Sequence, residues 1–254
     1  MSPILNLKIL CLIPARGGSK SIPRKNLLNL MGKPLISWSI QQAFQSKYIN
    51  RVIVSTDDAE IADVSKSFGA EVPFIRPKEL AQDSSLDIET FAHALKWLKS
   101  NENYQPELIV HLRPTGPARR VEYIDLAIEK IHSDSSADSL RSVSVAHQNP
   151  FKMWFISNNH IKPALTLKNV KDAHSSGRQM LPIAYWQNGY IDIVRSETIL
   201  QKESMVGENV IPFVINDKIC DIDYIDDIPK VELAMKQMLE DGDIPYISSD
   251  RLPV

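Results

Sequence analysis

The chain has 254 residues, 43% of them hydrophobic and 24% charged, so it can form one large α/β domain or two small ones and is not disordered. Its formal net charge of −2 at pH 7 argues against nucleic acid as the main partner, because nucleic-acid-binding proteins carry a strongly basic surface. No apolar run approaches the length of about 18 residues that a membrane span needs. With two cysteines, Cys11 and Cys220, and no signal-peptide pattern, we expect a cytoplasmic protein without a disulfide.

The first half of the chain alternates strands with helices. Apolar, β-branched runs predict strands over 9–13, 51–56, 72–75 and 108–112. Apolar residues at three- and four-residue spacing predict helices over 33–47, from Asp58 to Gly69, and over 86–99. Strands that alternate with helices are typical of a parallel sheet covered by helices on both faces.

The pattern changes after the polar segment 133–138. Short strand-like runs follow with almost no helix between them, over 140–146, 151–156 and 161–167. We interpret them as an antiparallel β excursion, either an oligomerisation lobe or a lid. The chain then returns to strands over 183–194 and 219–224 and to a helix over 228–239, whose start is marked by acidic residues and a proline.

The segment 13–26, IPARGGSKSIPRKN, follows the first strand and carries four cations within ten residues: Arg16, Lys20, Arg24 and Lys25. Loops after strands lie at the carboxyl edge of an α/β sheet, where ligands bind, and small residues let backbone N–H groups approach an anion. The glycine and lysine positions of a P-loop and the third glycine of a dinucleotide fingerprint are both missing. The loop predicts a polyphosphate ligand, and the alternative is a solvated basic surface.

Further polar loops follow the other predicted strands. Asp57-Asp58 is expected to cap the next helix. Arg76 either reaches phosphate or ribose or pairs with an acid. In Cys220-Asp-Ile-Asp223 the carboxylates of Asp221 and Asp223 would point to the same side of an extended segment, an arrangement that suits Mg²⁺ but is also common in surface loops. A triphosphate loop, a cation site and an open α/β sheet together predict nucleotidyl transfer.

These motifs resemble those of the N-acylneuraminate cytidylyltransferase (CMP-sialic acid synthetase) family. The opening segment is specific to that group, and VSTDD, RPKELAQD, LRPTGPAR, GRQMLP, QNGYI and DID follow in the same order along nearly the whole chain. The resemblance implies a Rossmann-like nucleotide-diphospho-sugar transferase fold. It implies one cytidylyltransferase domain over 1–254, with an inserted antiparallel β dimerisation lobe at about 140–182 that is exchanged in a homodimer; whether dimers pair into tetramers stays open.

The implied reaction joins CTP to a nonulosonic acid and releases pyrophosphate, with Mg²⁺ as the cofactor, in the biosynthesis of cell-surface glycans. Catalysis is assigned by the resemblance to Arg16, Lys25 and Asp223. Further nucleotide contacts are implied for Ala15, Ser19, Asn26, Arg76 and Asp87. Sugar contacts are implied for Arg113, Thr115, Lys152, Arg178 and Gln179. Asp221 and Asp223 would hold the metal, and one of them or a water on the cation would take the proton from the anomeric hydroxyl.

Two positions depart from the family pattern. Sialic acid enzymes commonly have Gln where this chain has Arg113, and Asp87 replaces the family's serine before a helix. Both positions border the bound ligands in the family, so legionaminate or another bacterial nonulosonate is expected at least as much as N-acetylneuraminate. The alternatives are a Kdo cytidylyltransferase, which lacks the Lys25-Asn26 pair, and a catalytically silent nucleotide-sugar-binding module, which would have lost Lys25, Asp221 or Asp223.

Overall fold

A computed structural model describes residues 3–168, 170–217 and 219–242. The strands are β1 (Ile9–Pro14), β2 (Asn29–Leu30), β3 (Lys33–Pro34), β4 (Arg51–Ser55), β5 (Leu108–His111), β6 (Ser139–Val145), β7 (Trp154–Ser157), β8 (His160–Pro163), β9 (Tyr185–Arg195) and β10 (Val210–Val214). The helices are α1 (Leu35–Gln45), α2 (Ala59–Ser67), α3 (Asp87–Glu102), α4 (Val121–Ser133), α5 (Ser196–Leu200) and α6 (Ile228–Glu240). Among these residues no helix is long and apolar enough to cross a membrane.

The main sheet has six strands in the order β10-β6-β9-β5-β1-β4. Strand β1 pairs in parallel with β4 and β5, and β9 runs antiparallel to β5. Leu12 on β1, His111 on β5 and Asp192 on β9 lie opposite one another in register, so their side chains share one face of the sheet. The predicted α/β fold with a mostly parallel sheet is confirmed.

Local sequence explains most of the element boundaries. Strand β1 is fully buried from Ile9 to Ile13, as expected for a central strand covered on both faces. The side chain of Asp58 accepts a hydrogen bond from the Ile61 N–H and caps α2, which confirms the capping prediction for this residue. Helix α3 packs the fully buried Phe91 into an apolar cluster on the sheet.

Two predicted strands are wrong. Over 72–75 the structure has no strand, and only Glu71 bridges to Ile53, because Pro73 has no N–H to continue the ladder. Over 219–224 the described residues form no strand either; the Ile222 N–H donates to the Thr115 carbonyl oxygen at 2.8 Å. Helix α4 and strand β10 were not predicted from the sequence, although the isoleucines of α4 have helical spacing.

The described residues form two compact units. The large unit consists of 3–142, 189–213 and 219–242, and the small unit consists of 143–188 and 214–217. The small unit contains the antiparallel hairpin β7–β8, which overlaps the two predicted runs 151–156 and 161–167. Its turn residues Asn158 and Asn159 both have positive φ, 50° and 61°, as a tight two-residue hairpin requires. The predicted run 140–146 instead forms β6 of the main sheet. A dimerisation role for the lobe stays a prediction.

Candidate active site

A cavity of about 350 Å³ lies at the carboxyl ends of β1 and β5, within the large unit. Its walls come from the opening loop 16–26, the segment 76–90 and the third loop 111–115. Eight of the residues singled out in the sequence line it: Arg16, Ser19, Lys25, Asn26, Arg76, Asp87, Arg113 and Thr115. Ala15 lies behind the wall, where it is buried and donates its N–H to the Ser55 carbonyl oxygen. The tertiary structure thus brings together three loops that are far apart in the chain.

Two cations of the opening loop share one acid. Arg16 donates to the Gln82 carbonyl oxygen at 2.8 Å and pairs with Asp83 at 2.9 Å, and Lys20 pairs with the same carboxylate at 2.6 Å. The hydrogen bond from Lys20 and the charges of both cations lower the pKa of Asp83. Arg16 and Asp83 are each at least a third exposed, so water weakens the ion pair. An incoming anion can therefore replace Asp83 at a small cost.

Arg24 points away from the cavity. It pairs with Asp58 at 2.6 Å and with Glu60, the acids at the start of α2. Gly17 must be a glycine here, since a Cβ would lie 2.8 Å from a carboxylate oxygen and 2.9 Å from the Cβ of Asp58. Asp57 accepts a hydrogen bond from the Gly17 N–H at 3.0 Å. The Asp57-Asp58 pair therefore shapes the opening loop as well as capping a helix.

Lys25 joins the opening loop to the Asp-Ile-Asp loop. Its side chain is 11% exposed, and Nζ donates to the Ile222 carbonyl oxygen at 2.9 Å and lies 3.5 Å from the Asp223 carboxylate. The neighbouring Asn26 donates its side-chain amide to the Arg16 carbonyl oxygen at 2.9 Å. Unlike the exposed cations, Lys25 is held in place by the backbone of a loop 197 residues away.

Asp221 and Asp223 form a carboxylate pair with opposite environments. Asp221 is largely buried, whereas the side chain of Asp223 is 70% exposed. Burial raises the pKa of Asp221; the charge of Arg119 opposes the rise, and the charge of Asp223 adds to it. Asp221 approaches the third loop so closely that a Cβ on Gly116 would lie 2.9 Å from its Oδ1.

The donor set fits a magnesium ion held partly by substrate. In the part of the chain that the structure describes, no group of three or more His, Cys, Asp or Glu side chains could hold a metal by itself. Mg²⁺ characteristically takes one or two carboxylates and completes its shell with phosphate oxygens and water. Asp221 and Asp223 supply the two hard carboxylate donors of that mode, and the charge of Asp223 acts on the pKa of Asp221.

Arg119 was not assigned to the site from the sequence. Its side chain holds the third loop in place through hydrogen bonds. It is fully buried, and its guanidinium donates to the Tyr190 carbonyl oxygen at 2.6 Å, to Gln42 Oε1 at 2.7 Å and to the Arg113 carbonyl oxygen at 3.1 Å. The arginine belongs to the LRPTGPAR motif, so its presence was visible in the sequence but its partners were not. A buried cation with this many acceptors makes the loop rigid.

The two departures from the family pattern lie against each other. Arg113 Nη2 is 3.5 Å from the Asp87 carboxylate, at the first residue of α3. Its Nη1 donates to Asp192 Oδ2 at 2.7 Å and to the Gly189 carbonyl oxygen at 3.3 Å. Asp192 is 2% exposed and also pairs with Arg141 at 2.7 Å. One edge of the Arg113 guanidinium is thus held by buried acceptors, while the other faces the half-exposed Asp87.

Arg76 is a second buried arginine of the wall. It donates to Thr90 Oγ1 at 2.8 Å and lies 3.9 Å from Asp57, and its Nε finds no partner among the described residues. Burial lowers its pKa, with Asp57 opposing that effect. The sequence left phosphate, ribose or an acid as the partner of Arg76, and in the structure Asp57 is a nearby acid. A contact of Arg76 with the nucleotide stays a prediction.

The remaining predicted sugar contacts lie in the small unit. Lys152 ends a short 3₁₀ helix, Pro150–Lys152, and Arg178 and Gln179 lie in another, Arg178–Met180. Their contact with a sugar stays a prediction from the resemblance.

The family model described as cytidylyltransferase matches residues 10–244 of the chain. The chain belongs to the cytidylyltransferase family. The family recognised from the motifs is confirmed, and with it the expectation that the protein is a nucleotidyltransferase enzyme.

Relatives across this family differ in the sugar acid in their names. Pseudaminic acid cytidylyltransferase of Campylobacter jejuni is 31% identical, over 91% of this chain and 97% of that protein. CMP-N,N′-diacetyllegionaminic acid synthase of Legionella pneumophila is 36% identical, over 83% and 88%. N-acylneuraminate cytidylyltransferase of Escherichia coli is 30% identical, over 91% of this chain and 52% of that protein.

Solved structures share the fold at low identity. A CMP-2-keto-3-deoxy-manno-octonic acid synthetase complexed with CTP matches with a TM-score of 0.68, over 91% of this chain and 100% of that one, at 17% identity. At this identity the likeness concerns the fold alone, and it confirms the predicted Rossmann-like nucleotidyltransferase fold.

Proposed function

We propose that the protein joins CTP to a nonulosonic acid, giving the CMP-sugar and pyrophosphate. The observation that carries this proposal is the position of Lys25, a cavity-lining residue of the basic opening loop whose ammonium bonds to the backbone of the Asp221–Asp223 loop. Cations on one side of a triphosphate and carboxylates for a metal ion on the other are what nucleotidyl transfer requires.

The phosphates would bind at the opening loop. Arg16 and Ser19 line the cavity there, together with Lys25 and Asn26. Exposed ion pairs such as Arg16–Asp83 contribute about 1 kcal/mol or less, so phosphate oxygens can take over the cation without a large cost. Lys25 already has its position and needs little reorganisation when charge develops on the α-phosphate, which is why we assign it the main catalytic role.

Mg²⁺ would be held by Asp221 and Asp223 and, when bound, would neutralise charge on the phosphates. The buried Asp221 supports this proposal, because a cation offsets the cost of keeping its carboxylate ionised away from water. Asp221, Asp223 or a water on the cation would receive the proton of the attacking anomeric hydroxyl.

The sugar acid is proposed to be legionaminate, pseudaminate or a related bacterial nonulosonate. Support comes from the names of the relatives and from the Arg113–Asp87 pair, which replaces the residues usual in sialic acid enzymes. Arg113, Thr115, Lys152, Arg178 and Gln179 remain the proposed sugar contacts.

A homodimer is proposed from the surface of the small unit. Ile156 and Ile161 face each other across the β7–β8 hairpin and are 80% and 58% exposed, and the neighbouring Phe155 is 68% exposed. Apolar surface of this kind marks an interaction site. Light scattering should give about twice the 28.7 kDa chain mass, and Ile156→Lys should shift it towards the monomer. A monomeric wild-type protein would exclude the dimer. A cytoplasmic location is a separate prediction.

The proposed reaction is tested by pyrophosphate release. The purified protein is incubated with CTP, Mg²⁺ and, one at a time, legionaminic acid, pseudaminic acid, N-acetylneuraminic acid and Kdo. Release is expected only when CTP and a nonulosonic acid are both present, and a chelator should stop it. Preference for Kdo would favour the Kdo-type alternative. CTP binding by calorimetry without release for any sugar acid would favour a silent binding module.

A further inference from the structure

We propose that His111 is a specificity-determining residue of this cavity, where its imidazole pairs with an uncharged hydroxyl or amide group of a substrate. The inference rests on the proposed function and extends it to a residue that neither the motifs nor the family resemblance indicated. It is carried by the position of the side chain in the cavity wall and by the lack of a hydrogen-bond partner for either ring nitrogen among the described residues.

The fold places His111 at the floor of the cavity. It is the last residue of β5, lies opposite Leu12 and Asp192 in the sheet, and is 1% exposed. One side of the ring packs edge-on against Phe91 of α3, with 4.7 Å between ring centroids. The side chain belongs to the cavity wall, of which Thr90 and Arg113 are also part.

Neither ring nitrogen of His111 has a hydrogen-bond partner within the described residues. Two polar residues of the same wall have other partners, since Thr90 accepts from Arg76 and Arg113 donates to Asp192. An imidazole always carries at least one N–H, and a buried donor without a partner is costly and rare in folded proteins. A side chain that lines a cavity and keeps both nitrogens unpaired is suited to a ligand group.

The chemistry of that ligand group follows from the charge state of the ring. Burial lowers the pKa of His111 well below its usual value, and the charges of Arg113, Arg141 and Arg119 lower it further. The ring is therefore neutral at physiological pH and offers one donor and one acceptor. The three arginines supply the positive potential for anions, so the imidazole adds a directional contact to a group that can both donate and accept. Hydroxyl and amide groups of the ribose, the base or the sugar acid have this property.

A purely structural role predicts something different. If His111 only filled space against Phe91, an apolar side chain of similar volume would pack as well and would remove two unpaired buried polar atoms. Such a variant would then be at least as stable as the wild type and fully active. If instead His111 holds the fold together, stability and activity would fall together.

The test compares His111→Leu, which removes both polar atoms, with His111→Gln, which keeps a donor and an acceptor. For each protein, KM is measured separately for CTP and for the preferred sugar acid, and the melting temperature is measured without substrate. We expect His111→Leu to raise one of the two KM values about tenfold while its melting temperature stays equal or rises. His111→Gln should recover most of that loss.

The KM that changes identifies the source of the group. If the KM for CTP changes, the measurement is repeated with 2′-deoxy-CTP and with 3′-deoxy-CTP. The increase in KM caused by His111→Leu should disappear with the analogue that lacks the contacted hydroxyl. If the contact is to the base, the increase should persist with both analogues. If the KM of the sugar acid changes instead, the contact is to the sugar.

Unchanged KM values in His111→Leu would overturn the inference, as would a lower melting temperature with a loss of activity that His111→Gln does not recover. Failure of the proposed reaction is visible separately, because the wild-type protein would then release no pyrophosphate. In that case the dissociation constants for CTP and for each sugar acid, measured by calorimetry, replace KM in the same comparison.

Discussion

In the opening loop, Arg16 and Lys20 are exposed and pair with an acid of a neighbouring segment, whereas Arg119, just after the third loop, is buried and bonded to the backbone. Arg16 is 34% exposed and its partner Asp83 is 47% exposed. Arg119 is fully buried and donates to two carbonyl oxygens and to Gln42. Arginine therefore has two roles in this region: Arg16 is exposed in a weak ion pair, and Arg119 is buried and holds a loop in place.

The two kinds of cation differ in whether they can exchange their present partners for a ligand. An exposed ion pair is weak, so its cation is available to a phosphate. A buried cation that loses its partners is strongly unfavourable, so it stays where the fold puts it and shapes the loop above it. Lys25 combines both properties, because it is mostly buried and backbone-bonded but still lines the cavity.

The largest effect is expected from Arg119→Met. The substitution removes the donor to the Tyr190 carbonyl oxygen and to Gln42 Oε1, and each buried acceptor that loses its partner costs about 1–3 kcal/mol. Urea unfolding measures the loss. The matched control is Arg24→Met, which breaks an exposed pair with Asp58 and should change stability by about 1 kcal/mol or less. Equal losses of unfolding free energy in the two variants would contradict the distinction between the buried Arg119 and the exposed cations of the opening loop.

A smaller loss, in activity and not in stability, is expected from Lys25→Met. Removing a preorganised donor to the phosphates should lower kcat/KM about 100- to 1,000-fold, measured by pyrophosphate release. Lys20→Met is the control, since Lys20 is 80% exposed and pairs only with Asp83 among the contacts described, and it should lose less than about tenfold. Near-normal turnover of Lys25→Met would remove the proposed mechanism.

The smallest effect is expected at Arg113 and Asp87, where the two kinds of environment meet. Arg113→Gln and Asp87→Ser each remove one partner of the 3.5 Å pair, so the double variant should lose less than the sum of the single variants. The coupling is expected at about 0.5–1 kcal/mol in kcat/KM for the preferred sugar acid. Strict additivity, with an unchanged order of preference among sugar acids, would show that the pair does not contribute to sugar choice.

Much of the fold follows from local patterns. The alternation of strands and helices through β5 and the cap at Asp58 depend on residues a few positions apart, which a single sequence displays. The errors arise where the decisive neighbour is distant or a local exception was overlooked. Pro73 prevents the strand expected over 72–75, and the segment 219–224 is organised by a hydrogen bond from Ile222 to Thr115, more than a hundred positions earlier.

The opening loop and the Asp-Ile-Asp pair were identifiable because their motifs are short and continuous. Their functional partners were not identifiable from composition. Nothing local indicates that Arg24 pairs with Asp58, that Arg113 faces Asp87, or that His111 has no hydrogen-bond partner among the described residues.

By itself, the sequence determined the family and the set of cationic and acidic side chains in the opening loop and the Asp-Ile-Asp loop, because motif spacing reflects loop geometry that the local chain creates. Only the tertiary structure decided which of those cations remain available to a ligand. That choice depends on contacts such as Lys25 with Ile222 and Arg119 with Tyr190, which join residues 197 and 71 positions apart. Burial and charge at the cavity arise from packing across the sheet, and local spacing does not specify them.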